Sequence, residues 1–288
     1  MQPKVAVIIP CYNYGRFVEE AVQSVLNQDM KIELVVIDDG STDLDTLEVL
    51  KKLRKKGVFI YRQPNGGISK ARNTGVRLTS AENLVCLDAD DIIQPAYCSS
   101  CYQVMLSRHE VGFVYSTTRV FGDENRLWSN ISFSALHLLI DNYLPCAAMF
   151  RRRVWEENGG FAETMEHGYE DWDFWLSAVE KGWFGFHLPQ ALFWYRKHGQ
   201  SMLSSSNVQR KRLKKILRCR HKSLYSFSYI SKALKSESLF TPRVIKAALK
   251  EIFFRPAQLH LMDKGVNLPR PLFLKERRVD KSAEGPET

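Results

Sequence analysis

Asn83-Leu84-Val85-Cys86-Leu87-Asp88-Ala89-Asp90-Asp91 is the stretch whose reading decides the fold. An apolar run of strand length ends in three carboxylates within four positions, so a short buried strand delivers negative charge to its carboxyl end. Charge at that density is costly unless something cationic neutralises it. Hard oxygen ligands suit Mg²⁺ or Mn²⁺, and a cation held by one or two carboxylates commonly binds substrate phosphates as well. A solvated acidic turn is the plain alternative, and the sequence around the triplet decides between them.

Upstream, strand and helix signals alternate. Val5-Ile9, Glu33-Ile37, Val58-Tyr61 and Leu84-Leu87 read as strands. Between them, Arg16–Asn27 carries apolar residues at 18, 21, 22, 25 and 26, and a helix over 42–56 follows Ser41, placed to cap it, and stops at Gly57. Ser69–Leu78 is the third helix. This alternation predicts an α/β fold with a mainly parallel, Rossmann-like sheet flanked by helices. Ligands bind such folds at the carboxyl ends of the strands. There the sequence places Pro10-Cys11-Tyr12-Asn13, Asp38-Asp39-Gly40-Ser41-Thr42-Asp43, Asn65-Gly66-Gly67 and the acidic triplet. Four successive strand ends offer acids, amides and glycine backbone to one sheet edge, which is therefore the expected site.

Beyond residue 120 the regularity weakens. Gly112–Thr118 and Cys146–Phe150 read as strands, Arg152–Glu157 and Trp172–Lys181 as helices. Trp155, Trp172, Trp175, Trp183 and Trp194 crowd this part; aromatic walls suit sugar rings, but each tryptophan by itself reads as core. Leu213, Ile216, Leu217, Leu224 and Phe227 form a helical stripe among cations, and Thr241-Pro242 opens another helix that ends at Pro256. The expected organisation is a catalytic domain over 1–205, with a nucleotide-binding part at 1–120 and an acceptor-side part at 121–205. A basic helical region over 206–275 and a disordered tail over 276–288 follow.

At 288 residues and 44% hydrophobic the chain can bury a substantial core. Its apolar runs are strand-sized, and no secretory leader is evident, so a cytoplasmic protein without a membrane span is expected. The six cysteines make no disulfide framework; Cys98-Ser99-Ser100-Cys101 has redox or zinc spacing but lies in a helix without a second ligand pair, and reads as core. The net charge of +9 is uneven: residues 210–278 hold 19 Lys/Arg against 4 Asp/Glu, whereas residues 1–209 hold 21 against 25. No nucleic-acid partner is expected. The basic region predicts either docking on anionic lipid or packing on the catalytic domain.

With these motifs in order, the sequence resembles the inverting GT-A-fold glycosyltransferases of family 2 over roughly residues 4–201. The resemblance is carried by Val7-Ile8-Ile9-Pro10-Cys11-Tyr12-Asn13, Val36-Ile37-Asp38-Asp39-Gly40-Ser41-Thr42-Asp43, Asn65-Gly66-Gly67-Ile68-Ser69-Lys70-Ala71-Arg72-Asn73 and Leu87-Asp88-Ala89-Asp90-Asp91. Gly159-Gly160-Phe161, Tyr169-Glu170-Asp171-Trp172-Asp173 and Tyr195-Arg196-Lys197-His198 complete it. It implies that Pro10, Tyr12, Asp39, Asn65, Arg72, Asp88 and Asp90 bind a nucleotide-sugar, with Asp39 facing a uracil ring. It also implies that Asp90, Asp91 and His198 are candidate ligands of Mn²⁺ or Mg²⁺, and that Asp171 is the catalytic base. The implied activity transfers a hexose or N-acetylhexosamine, favouring a UDP-sugar donor, to a glycan, lipid-linked glycan or polyol-phosphate acceptor in cell-surface polysaccharide synthesis. A peripheral contact with the cytoplasmic membrane through 210–278 would suit lipid-linked acceptors. Gln209-Arg210-Lys211-Arg212-Leu213 only partly resembles the Gln-x-x-Arg-Trp motif of processive synthases, since Leu213 stands where tryptophan is needed.

Two rivals remain. A haloacid-dehalogenase-like phosphatase also ends a parallel strand in Asp-x-Asp, but leaves Asp38, Asp39, Glu170 and Asp171 without work. A non-catalytic glycan- or nucleotide-binding homologue would have no need of intact acidic motifs.

Overall fold

The structure, a computed structural model, describes residues 3–128, 131–199 and 209–236. The helix expected at Thr241-Pro242 and the tail from 276 lie outside the described residues.

The first half follows the β–α alternation: β1 (Val5–Cys11), α1 (Gly15–Leu26), β2 (Ile32–Asp38), α2 (Leu44–Lys55), β3 (Phe59–Arg62), α3 (Ile68–Leu78) and β4 (Asn83–Cys86). After the acidic turn come β5 (Ile92–Ile93), α4 (Tyr97–Ser107), β6 (Val111–Gly122), β7 (Arg126–Trp128), α5 (Ala135–Ile140), β8 (Met149–Arg151), α6 (Arg152–Asn158), α7 (Glu170–Glu180) and β9 (Phe184–Lys197). Two helices end the described chain, α8 (Arg210–Arg220) and α9 (Phe227–Ser236).

All nine strands join one sheet in the order β3-β2-β1-β4-β8-β6-β9-β5, with β7 on β6. The β3-β2-β1-β4 block is parallel, and β8 pairs antiparallel with both β4 and β6. Register aligns the strand ends: Cys11 lies beside Asp38, and Asp38 beside Arg62. The loops that follow therefore emerge along one edge, where the sequence places the polar clusters.

Alternation along the strands divides the core in two. Ala6, Ile8, Val35, Ile37, Leu84 and Cys86 face a cluster built with α3 and α5–α7. Val5, Val7, Ile9, Val36, Val85 and Leu87 face another built with α1, α2 and α4. Burial on both faces explains why these strands are uniformly apolar. Each such side chain contributes about 1.5–3 kcal/mol by leaving water. Gly75 lets α3 approach β1, because a Cβ there would lie 2.2 Å from Ile8 Cγ2. Cys98 and Cys101 are buried in α4 and their thiols are pushed up by burial, as core cysteines.

Two local expectations are corrected. Ser41 does not cap α2; Asp43 does, its Oδ2 accepting from Thr46 N at 2.9 Å and Thr46 Oγ1 at 2.6 Å. Ser41 is drawn inward instead, its N–H donating to Asp38 Oδ1 at 2.8 Å and its Oγ accepting from Asn13 N at 3.1 Å. Gly40, at φ +77°, supplies the left-handed turn that makes this possible. Phe227, placed on the apolar stripe, is 65% exposed, whereas Leu213, Leu217 and Leu224 enter the same core as α5–α7.

Residues 210–236 of the basic region pack against α5–α7. Asp173 on α7 accepts from Arg220 Nε at 2.6 Å and pairs with His221 Nε2 at 2.9 Å. Lys214 Nζ donates to Ile140 O at 2.6 Å.

Candidate active site

The strand-end loops surround a cavity of ≈ 480 Å³. Pro10, Tyr12, Asp39, Asn65, Arg72, Asp88, Asp90, Asp91 and Asp171 all line it. His198 is not on that wall but is tied to it through Asp90, Nε2 to Oδ2 at 2.9 Å. One cavity thus gathers expected site residues separated by up to 161 positions of sequence number, from Pro10 to Asp171.

The loops after β1 and β2 are cross-tied. Asn13, itself at φ +57°, accepts through Oδ1 from Thr42 N at 2.8 Å and Asp43 N at 3.0 Å. Asp38 is buried and structural: Oδ2 takes a 2.6 Å contact from Arg62 Nη1, and Oδ1 the Ser41 bond. Asp39 is held with both oxygens turned to its own loops. Oδ1 accepts from Gln63 Nε2 at 2.7 Å and Gly66 N at 3.0 Å, and Oδ2 from Gly67 N at 2.9 Å. With two lone pairs per carboxylate oxygen, Oδ2 retains acceptor capacity toward the cavity. Tyr12, 45% exposed, stands above it.

Arg72 occupies the centre. The family motif suggests a side chain facing nucleotide; here the guanidinium is 1% exposed and bridges two acids, Nη2 to Asp88 Oδ1 at 2.8 Å and Nη1 to Glu170 Oε1 at 2.7 Å. Its Nε is buried and has no hydrogen-bond partner among the described residues. This bridge links the acidic turn to the start of α7, a connection that the sequence did not announce because Asp88 and Glu170 lie 82 positions apart.

The acidic turn carries more charge than its protein partners offset. Burial, then Asp88, raises the Asp90 carboxyl, and burial with Asp90 and Asp88 raises Asp91 well above the carboxylate range. Asp91 Oδ1 accepts from Arg196 N at 2.8 Å, which fastens the turn to β9. Among the described residues no three His, Cys, Asp or Glu side chains form a ready-made cation cage. The donors present, two or three carboxylates and an imidazole at one strand end, fit a hard divalent cation that completes its shell with substrate phosphate oxygens.

Across the cavity, α7 begins at Tyr169, held in the left-handed conformation at φ +65°. Asp171 Oδ1 accepts from Trp172 N at 2.7 Å, and Oδ2 from Asn142 Nδ2 at 2.9 Å. Burial, joined by the neighbouring Glu170 charge, pushes its carboxyl up to about 7, against the downward pull of Arg72. An acid balanced near neutrality in a cleft has the properties of a general base. Asn142, Trp128 and Arg210 also line the cavity and were missed in the sequence, where they sit in stretches without a motif. Trp172 and Trp175 are core, as their sequence context suggested. Among the described residues no helix is long and apolar enough to cross a membrane.

Comparison with known proteins identifies the family and the fold. Residues 6–176 match Glycosyl transferase family 2. Over 217 residues the chain is 32% identical to a hyaluronan synthase of Pasteurella multocida, covering 73% of this chain and 22% of that protein. It is 42% identical over 97 residues to the poly(ribitol-phosphate) β-N-acetylglucosaminyltransferase TarP of Staphylococcus aureus, 31% of this chain and 29% of that one. The chain thus spans between a fifth and a third of the length of these relatives. Among solved structures, S. aureus TarS 1–349 in complex with UDP-GlcNAc superposes with a TM-score of 0.63 at 20% identity, over 91% of this chain and 76% of that one. The mannosyltransferase PcManGT of Pyrobaculum calidifontis, in complex with GDP-Man and Mn²⁺, gives 0.56 at 18% identity, over 88% of each chain. The fold is that of the GT-A enzymes.

Proposed function

The chain belongs to glycosyl transferase family 2, and from that premise we propose that it is an inverting transferase moving a hexose or N-acetylhexosamine from a UDP-sugar to a hydroxyl of a glycan or polyol-phosphate acceptor in cell-surface polysaccharide synthesis. The observation that carries this reading is the division of one cavity between the Asp88–Asp91 turn and Asp171, with the Arg72–Glu170 pair between them. UDP-GlcNAc in the TarS structure and the names of the two curated relatives support the donor and acceptor classes. The match over residues 6–176 sets the phosphatase alternative aside.

In this reading Tyr12 and Pro10 flank the nucleotide base, Asp39 Oδ2 accepts from the ring, and Asn65 completes that wall. Arg72 borders the same wall and keeps Asp88 oriented toward the donor's phosphates. Asp90, with Asp91 or His198, would hold a Mn²⁺ or Mg²⁺ ion, which when bound acts as a Lewis acid for the departing diphosphate. His198 lies between Asp90 and Arg16, whose Nη2 is 3.3 Å from Nδ1. Asp171 takes the proton of the attacking hydroxyl on the side of the sugar opposite the leaving group, which gives inversion.

A nucleotide-release screen over UDP-, GDP-, CMP- and dTDP-sugars, with Mn²⁺, Mg²⁺ or chelator, tests the reading. UDP release that requires a divalent ion is expected; inorganic phosphate released from simple esters, with no nucleotide from any sugar nucleotide, would overturn it. A peripheral contact with the cytoplasmic membrane belongs to the same proposal. Lys211, Arg212 and Lys215 point outward from α8 and Phe227 stands exposed nearby in sequence. Cosedimentation with anionic but not neutral vesicles, weakened by salt, is expected; equal recovery with both refutes the contact.

A further inference from the structure

Part of the cavity wall is built by stretches outside the strand-end motifs. The loop from α5 to β8 contributes Asp141, Asn142 and Tyr143; β7 contributes Trp128; and α8 contributes its first residue, Arg210. Arg210 lies beyond residues 6–176, the span of the family match. Asp141 Oδ1 and Arg210 Nη2 are 3.1 Å apart, with side chains 32% and 38% exposed. Neither is buried, and both face the cavity that holds Asp171.

Three features make this pair more than a surface salt bridge. First, α8 is fixed at several points: Lys214 Nζ donates to Ile140 O at 2.6 Å, and Arg220 and His221 grip Asp173 on the helix that carries Asp171. Arg210 is therefore held relative to Asp171 by a rigid frame. Secondly, Asn142, the residue after Asp141, donates to Asp171 Oδ2 at 2.9 Å, so one short segment positions the carboxylate and presents the ion pair. Thirdly, the pair carries no net charge while offering carboxylate acceptors beside planar guanidinium donors. Two neighbouring hydroxyls match that pattern: one donates to the carboxylate, the other accepts from the guanidinium. An anionic acceptor group would meet Asp141, Glu170 and Asp171 around the same space, and is disfavoured there.

We propose that the Asp141–Arg210 pair is the acceptor-recognition element of this site, binding two neighbouring hydroxyls on a neutral terminal sugar or polyol unit next to Asp171. The proposal rests on the transferase reading and names the substrate class it acts on. Trp128 and Tyr143 supply the aromatic flank on which an apolar sugar face packs.

The test compares the wild type with Arg210→Ala, Arg210→Lys and Asp141→Asn. Each chain receives a UDP-sugar, Mn²⁺ and a panel of neutral oligosaccharides, uronate-containing oligosaccharides and ribitol-phosphate oligomers, and UDP affinity is read by calorimetry as the check on folding. Acceptor KM for neutral glycans is expected to rise about 10- to 100-fold in R210A and D141N, and less in R210K, with UDP affinity within about twofold. Unchanged KM in both R210A and D141N overturns the proposal. So does a lowered KM for uronate or phosphate acceptors in D141N, which would mark an anion site, and so does transfer by the wild type to no neutral member of the panel. If the wild type neither binds UDP nor releases it from any donor, the transferase reading has failed first, and this proposal falls with it.

Discussion

Asp171→Asn should separate activity from stability, and its size can be worked from the surroundings of the carboxyl. Burial and Glu170 hold the group near 7 rather than at the ordinary 3.8. About nine-tenths of it is ionised at pH 8 and about one-tenth at pH 6, so kcat/KM should rise roughly tenfold across that interval. The asparagine cannot take a proton, and loss of a general base costs about 10²- to 10⁴-fold in turnover. Stability moves the other way. Because the folded value is raised, ionised Asp171 costs nothing below the unfolded value, and the cost grows as pH rises through about 7, where it is complete. A shift of about three units corresponds to at most about 4 kcal/mol at 1.36 kcal/mol per unit, and water at the cavity wall reduces it. Denaturant titration of both chains at pH 5 and pH 8 should therefore show D171N more stable at pH 8, with the gap widening by about 2–3 kcal/mol between the two. A rate profile flat from pH 6 to 8, or an asparagine variant retaining a tenth of wild-type turnover, would refute the base. A stability gap independent of pH would refute the buried-charge argument behind it.

Other expectations follow from the same contacts. Arg72→Gln leaves Asp88 and Glu170 without their shared cation and should cost about 3–5 kcal/mol by denaturant titration; because Arg72 also holds Asp171 down, the midpoint of any residual pH–rate profile should move above about 7. Asn142→Ala removes a donor from Asp171 and should lower kcat about tenfold with the KM for donor unchanged, read by steady-state kinetics. Asp173→Asn should loosen α8: the raised His221 contributes its stability below the ordinary imidazole value and loses it as pH rises through its folded value, while the lowered Asp173 contributes above the ordinary carboxylate value. The difference between wild type and D173N in thermal melts should therefore be greatest between about pH 4 and 6.5.

The strand-end clusters were legible because a parallel sheet buried on both faces demands uninterrupted apolar runs, and those runs leave the polar residues nowhere but the edges. Val5–Cys11 and Asn83–Cys86 are cases in point, with every residue buried. Ser41 was read as the cap of α2 from its position in the sequence; its side chain is instead taken by Asn13, 28 positions away, and Asp43 caps the helix. Arg72 was legible as a site residue but not as a bridge, because its partners come from the turn after β4 and from α7. Asn142 and Arg210 were illegible for a related reason. Their chemistry depends on where α5 and α8 come to rest, and helix packing of that kind leaves an apolar stripe in the sequence but no mark on the polar residue it delivers. Phe227 shows the limit of the stripe itself: spacing put it on the buried face, but it begins α9 and faces solvent.

Glu170, Asp171 and Asp173 present three carboxyls within one turn, and sequence alone leaves each a candidate for the base. A helix advances about 100° per residue, which turns Asp171 away from Glu170, whereas Asp173 comes back to within about 60° of it, so neighbours rather than rotation must separate those two. Glu170 turns to Arg72 and is spent as half of a buried ion pair. Asp173 meets α8 instead, where His221 and Arg220 hold it below the carboxylate range and fasten that helix. Asp171 lines the cavity with an amide and a backbone N–H as its hydrogen-bond partners, and among the described residues it is in no ion pair. The helix N-terminus favours all three as anions to a similar degree, typically by less than about 1 kcal/mol, so it cannot sort them. Their neighbours do: two acids are paired with cations that hold the site together, and burial brings the third to about 7. The pairing of Glu170 is what makes this division possible, because a second unpaired carboxylate beside Asp171 would drive its protonation further and leave too little base at physiological pH.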